Sequence, residues 1–223
     1  MTQRRQRPAE CAFVREITHV AYDADATDVS IPDGGWDLVF MRRSGDLQVL
    51  HTGLITKPVD LGYAPGDEYL AITFRPGVFM PKIAARTMVD RGVLLGPPAA
   101  GRFHLGPETL EIPTFENAEA VVTRLVARGI LALDDVVDDL LQGREKAVEP
   151  RTIQRHFERA VGVTAKQLSM IYRAREAGKM LARGLPTAQV AAQLGYSDQA
   201  HMTRSLKHLL GDTPAQIARK ALP

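Results

Sequence analysis

The sequence predicts an α+β chain in two parts. A small β-sandwich or barrel-like domain comes first, and an all-α domain follows. Three observations carry this. Short apolar runs broken by Gly, Pro and Asp turns fill the first 80 or so residues. Helical spacing replaces them beyond Pro81. Charge is divided: residues 1–149 hold 16 Lys/Arg against 22 Asp/Glu, a balance of −6, and residues 150–223 hold 12 against 4, a balance of +8.

Taken in order, residues 1–10 are polar and basic and read as a disordered tail. Strands are expected at Leu38–Met41, around Leu47–Ile55, and at Tyr69–Phe74 (YLAITF). Pro32-Asp33-Gly34-Gly35, Ser44-Gly45-Asp46 and Ala64-Pro65-Gly66-Asp67 separate them, and the second of these reads as a hairpin turn. Ile83–Val89 reads as a short helix, and Gly92–Gly106 as a loop around Gly-Pro-Pro. Ala118, Val121, Val122, Leu125 and Val126 share a helical face, and Leu133, Val136, Val137, Leu140 and Leu141 repeat the spacing. Thr164 with Gln167 and Thr213 with Gln216 make two capping boxes. The first opens a helix running to about Arg183. Leu185-Pro186 opens the next.

Composition is that of an ordinary globular protein, with 45% apolar and 24% charged residues in 223. The longest uncharged stretch, Gly184–Ser197, holds two Gly and a Pro and is too short to span a bilayer. The opening residues lack a signal-peptide core. Cys11 is the sole cysteine, which fits a cytoplasmic protein and gives no pKa argument for a reactive thiol.

Two segments carry the nucleic-acid reading. In residues 150–162, Ile153 and Phe157 face inward, leaving Arg151, Thr152, Gln154, Arg155 and Arg159 available. In residues 194–211, Met202 and Leu206 face inward, leaving Gln199, Ala200, His201, Thr203, Arg204 and Lys207 available, with Ser197 as N-cap. Arg and Gln are the side chains that bond base edges bidentately in the major groove. A +8 balance is the footprint of a polyanion binder.

These segments resemble the AraC/XylS-type DNA-binding domain of bacterial transcription regulators. PRTIQRHFERAVGVTAKQL at 150–168, REAGKMLARG at 175–184 and AAQLGYSDQAHMTRSLKHLLGDTPAQI at 191–217 carry the match. The resemblance implies two helix-turn-helix units joined by one long helix. By position, it makes Arg151, Gln154 and Arg155 groove-facing residues of the first reader, and Gln199, Ala200, Thr203 and Arg204 those of the second. Ala200 can touch only a thymine methyl. Two departures weaken the first unit. Gly143–Pro150 is roughly four residues longer than the usual turn, and residues 134–139 hold four Asp, which repel phosphate. Ile31–Phe40 and Phe74–Gly77 resemble the small β-rich sensor domain of short regulators in this family.

The expected organisation is a regulatory domain at 1–110, a helical connector at 111–130 and the DNA-binding domain at 131–223. The expected function is sequence-specific transcriptional regulation, controlled by a small molecule or by dimerisation. Alternatives are a ligand-free dimerisation module on the same DNA binder, or a small β-barrel enzyme. Trp36, Phe40, Arg42, Tyr69, Phe74 and Arg75 are candidate ligand contacts, and equally candidate core. No catalytic motif, metal-ligand spacing or cofactor loop is found among the six His, the single Cys or the Gly-rich turns. Promoter DNA is the expected partner, with RNA polymerase, a small-molecule effector and a second copy as further candidates.

Overall fold

The computed structural model describes residues 2–96, 100–144 and 148–220. Its N-terminal half holds β1 (Gln3–Pro8), β2 (Val14–Ala21), β3 (Ala26–Ser30), β4 (Asp37–Arg43), β5 (Asp46–Thr52), β6 (Val59–Tyr63), β7 (Glu68–Phe74), β8 (Val78–Phe79) and β9 (Gly92–Leu94). β10 (Arg102–Leu105), β11 (Glu108–Glu111), α1 (Ala118–Ala127) and β12 (Ala132–Leu133) follow. Six strands form an open antiparallel sheet in the order β1-β2-β7-β4-β5-β9, and three two-stranded ribbons, β3-β6, β8-β12 and β10-β11, accompany it.

The central strand β7 buries Leu70 to Phe74 without a break. A strand covered on both faces needs that continuous apolar run. Ile17 pairs with Ile72 and Leu38 pairs with Ile72, so the three share one face. α1 covers that face with Val121, Val122 and Leu125, beside Phe103 and Leu110 of the β10–β11 ribbon. The β4–β5 hairpin turns on Ser44 and Gly45, both at positive φ, the conformation a two-residue loop demands.

Three expectations change. Residues 3–8 are a strand, not a tail. β1 pairs with β2 from Gln3↔Ala21 to Pro8↔Glu16. Arg5 and Arg7 hold it to Glu116 and Glu119 and lie over the Phe115 ring. Charge pairing to Glu119 of a distant helix and Glu116 just before it supplies what the strand's own side chains lack. Gly92–Gly106 contains β9 and β10, because Val93 and Leu94 can extend the sheet edge beside β5. The Pro-Pro-Ala at 97–99 lies outside the described residues. The helix expected at Ile83–Val89 is a single 3-10 turn, Ala85–Thr87.

The C-terminal part is helical: α2 (Asp135–Leu141), α3 (Pro150–Ala160), α4 (Ala165–Ala182), α5 (Thr187–Gln193), α6 (Gln199–Leu210) and α7 (Pro214–Lys220). Both capping boxes form as the sequence predicts. α4 buries Leu168, Ile171, Ala174, Ala177 and Leu181, a stripe at helical spacing. Around it lies a second core of Phe157, Val163, Val190, Met202, Leu206 and Leu209. Leu54 and Phe79 from the β-rich half and Val137 from α2 complete that core.

The two halves press together at glycines. A Cβ on Gly162 would meet the Ala85 backbone at 2.8 Å, and one on Gly34 would meet Leu168 Cδ1 at 2.7 Å. Arg175 also donates to the Pro32 carbonyl at 3.3 Å.

Candidate nucleic-acid interface

Each candidate reading helix is fixed from one side and open on the other. α3 starts with Pro150 at its first turn, where the missing N–H costs nothing. Phe157 and Ala160 anchor it, and Ile153 is half-buried. Arg151, Gln154 and Arg155 are exposed and Thr152 is half-buried. Gln154 spends its amide on Glu158 at 2.8 Å.

Arg159, although exposed, is committed to the fold. Its guanidinium reaches Asp134 at 2.5 Å and lies over the Phe79 ring. His156 Nδ1 approaches the same carboxylate at 2.8 Å. Asp134 also caps α2, accepting from Val136 and Val137 N–H. Burial works against an ionised Asp134. The hydrogen bonds from Arg159 and His156 outweigh it and hold the carboxyl below its ordinary range. Of the four Asp in residues 134–139, Asp138 and Asp139 pair with Arg144. Residues 145–147 of the long segment before α3 lie outside the described residues.

In the second unit, Gly195 at φ 66° makes the turn between α5 and α6. The N-cap of α6 is Asp198, not Ser197, and its carboxylate accepts from His201 N–H at 2.6 Å. A Ser-Asp pair offers two good caps, and here the carboxylate takes the role beside the positive end of the helix. Ser197 Oγ instead meets His201 Nδ1 at 3.1 Å. Met202, Ser205, Leu206 and Leu209 are buried. Gln199, Ala200, Arg204 and Lys207 are exposed, and His201 and Thr203 are half-buried. Thr203 donates to the Gln199 carbonyl and Lys207 to that of Gly211. Arg204 and Gln199 thus stand on the outer face with Arg151 and Arg155 their counterparts on α3. α4, with 18 residues, is about 27 Å long and stands between the two helices.

The ligand candidates divide. Trp36 stacks on Phe74 at 4.0 Å and donates to the Val78 carbonyl, so both serve the core. Arg75 is exposed in a turn, with Nε 3.3 Å from the Val14 carbonyl. Phe40, Arg42 and Tyr69 line a cavity of about 270 Å³ with Arg5, His19, Leu47, Glu68 and Phe115. Arg42 pairs with Glu68 at 3.1 Å and Arg5 with Glu116 at 2.8 Å, so its cations are largely compensated. A smaller cavity of about 30 Å³ lies between the halves, against Trp36, His51, Ala160 and Val161. Among the described residues no His, Cys, Asp and Glu group is arranged to hold a metal, and no helix is long and apolar enough to cross a membrane.

The sequence alone gave no signal for Asp134 as a junction or for Arg173, whose guanidinium lies over the Tyr196 ring. Their partners are 22 to 25 residues distant.

Residues 144–220 match the family described as a helix-turn-helix domain. The HTH-type transcriptional regulator VirS of Mycobacterium tuberculosis, in strains CDC 1551 / Oshkosh and ATCC 25618 / H37Rv, is 30% identical over 128 residues. That match covers 51% of this chain and 36% of VirS, so the chain spans about a third of the curated relatives it matches. The solved structure of ToxT from Vibrio cholerae aligns over 99% of this chain and 97% of ToxT, with 9% identity and a TM-score of 0.44.

Proposed function

We propose, from the match of residues 144–220 to a helix-turn-helix domain and their resemblance to the AraC/XylS type, that this chain is a DNA-binding transcriptional regulator. The observation that carries the reading is the pair of outward faces, Arg151 and Arg155 on α3 and Gln199 and Arg204 on α6, mounted on one long helix. Helices so mounted suit successive turns of a major groove. Lys and Arg contacts to phosphate supply the non-specific affinity. Base reading rests first on Arg204 and Gln199, because Gln154 and Arg159 already have protein partners.

Arg204→Ala tests this. It is expected to cost about 1–3 kcal/mol on a selected duplex and to relax one base position, with random DNA little affected. Equal losses on both duplexes would make Arg204 a phosphate contact. No sequence preference in the wild-type protein would overturn the reading itself.

Control belongs to the β-rich half, with boundaries near residues 110 and 130. Its 3-10 turn and β8 pack on α3, so a change there acts on the first reader before the second. The 270 Å³ cavity is the proposed effector site, and a second copy and RNA polymerase are the proposed protein partners.

A further inference from the structure

Arg173 lies on α4, outside both candidate reading helices. Its guanidinium carbon stands 4.5 Å from the centroid of the Tyr196 ring, and Nη1 reaches the Gly195 carbonyl at 3.5 Å. Tyr196 is only 6% exposed. Its ring meets the edge of His201 at 5.4 Å between centroids. His201 sits in the first turn of α6 and its Nδ1 is 3.1 Å from Ser197 Oγ. A continuous stack therefore runs from the long helix, through the turn, to the start of the second reading helix.

The arrangement leaves polar groups unpaired. Arg173 Nε and the Tyr196 hydroxyl are buried and have no hydrogen-bond partner among the described residues. Filling alone does not require that. A methionine would occupy the same slot without an orphaned donor. What a guanidinium adds is a flat, charged face with a preferred orientation on an aromatic ring. Such a contact resists tilting of the turn, where an apolar contact tolerates sliding. The turn is also where orientation matters, because Gln199 and Arg204 follow within two helical turns.

We propose that Arg173, acting through Tyr196 and His201, is a positioning residue that sets the angle at which α6 is presented to a base sequence. The proposal rests on the DNA-reading function above. Arg173 itself touches no base. It makes α4, the helix between the two units, a rigid reference for the second reader.

The test compares the full-length protein with Arg173→Met, Arg173→Lys and Tyr196→Leu. Each is titrated against a selected duplex and a random duplex over a range of salt. Positioning predicts about tenfold weaker binding of the selected duplex by Arg173→Met and Tyr196→Leu. Random-duplex affinity and the salt slope stay as in wild type, and Arg173→Lys recovers part of the loss. A parallel loss on both duplexes, with the slope shallower by about 0.9, would make Arg173 a phosphate contact and overturn the proposal. So would wild-type selectivity in Arg173→Met. Should Arg173→Met not fold, Arg173→Lys and Tyr196→Leu decide by the same criteria. A DNA-free readout separates this proposal from the reading it rests on. Arg173→Lys should move the His201 ring resonances and leave those of α3 in place. Unmoved His201 resonances would overturn the stack even if the protein reads DNA, and moved ones would uphold it even if wild type selects no duplex.

Discussion

Half-buried Asp37 and buried His51 are ionisable groups on adjoining strands, and their protonation preferences oppose each other. Burial, helped by the neighbouring Asp33 carboxylate, pushes Asp37 up to about 6. Burial pushes His51, packed edge-on against Trp36, down to about 4. A raised carboxylic acid binds more protons folded than unfolded, so its contribution to stability is lost as pH rises from about 4 to 6. A depressed histidine does the reverse, and its contribution is lost as pH falls from about 6.5 to 4. Each is worth on the order of 3 kcal/mol. Wild-type stability should therefore be nearly flat across this window. Asp37→Asn should make it fall on acidification, and His51→Gln should make it rise. Urea unfolding at pH 6.5, 5.5 and 4.5 reads both, and parallel curves for the three proteins would show that these groups are not the titrating ones. At this scale the sequence displayed the residues that face outward, such as Arg204 and Gln199. It did not show that Arg159 has a partner, since Asp134 lies 25 positions away.

A single side chain ties α3 to the cap of α2. Asp134 joins the cap of α2 to His156 and Arg159 of α3, with its carboxyl 1% exposed. Asp134→Asn keeps a cap acceptor and removes the charge. Because the carboxyl is held below its ordinary range, its contribution is present above about pH 4 and lost as pH falls further. The variant should thus be less stable by roughly 2 kcal/mol near neutrality, a value discounted because Arg159 is half exposed, and equal to wild type in strong acid. Amide exchange should quicken along α3 and stay unchanged along α6. Equal protection of α3 in both proteins would show that the Phe157 packing alone suffices. Helices with caps and periodic apolar faces were legible here. β1 and β9 were not, because an edge strand draws its order from a neighbour and shows little periodicity of its own.

At the scale of the whole molecule, the two halves share packing. Leu54 and Phe79 enter the helical core, and Gly34 and Gly162 permit contacts that any side chain would obstruct. The β-rich half meets α3 through its 3-10 turn and β8. Titration calorimetry of the full chain against small amphipathic metabolites should find saturable binding that Leu47→Trp, which fills the cavity, abolishes. Retained binding in Leu47→Trp would place the effector elsewhere, and a panel without heat would favour a half that serves dimerisation.

By itself the sequence determined the helical third of the chain. Its capping boxes, its buried stripes and the outward Arg and Gln faces of α3 and α6 depend on residues three to four positions apart, and the chain order sets those distances. The tertiary structure decided which charges are left for a partner. It joined Asp134 to Arg159 and Arg173 to Tyr196, lined a cavity with Arg5 and Phe115, and seated Gly34 on Leu168. Those contacts link positions about 23 to 134 residues apart in the chain. No local period records such pairs, because they exist only once distant surfaces are packed together.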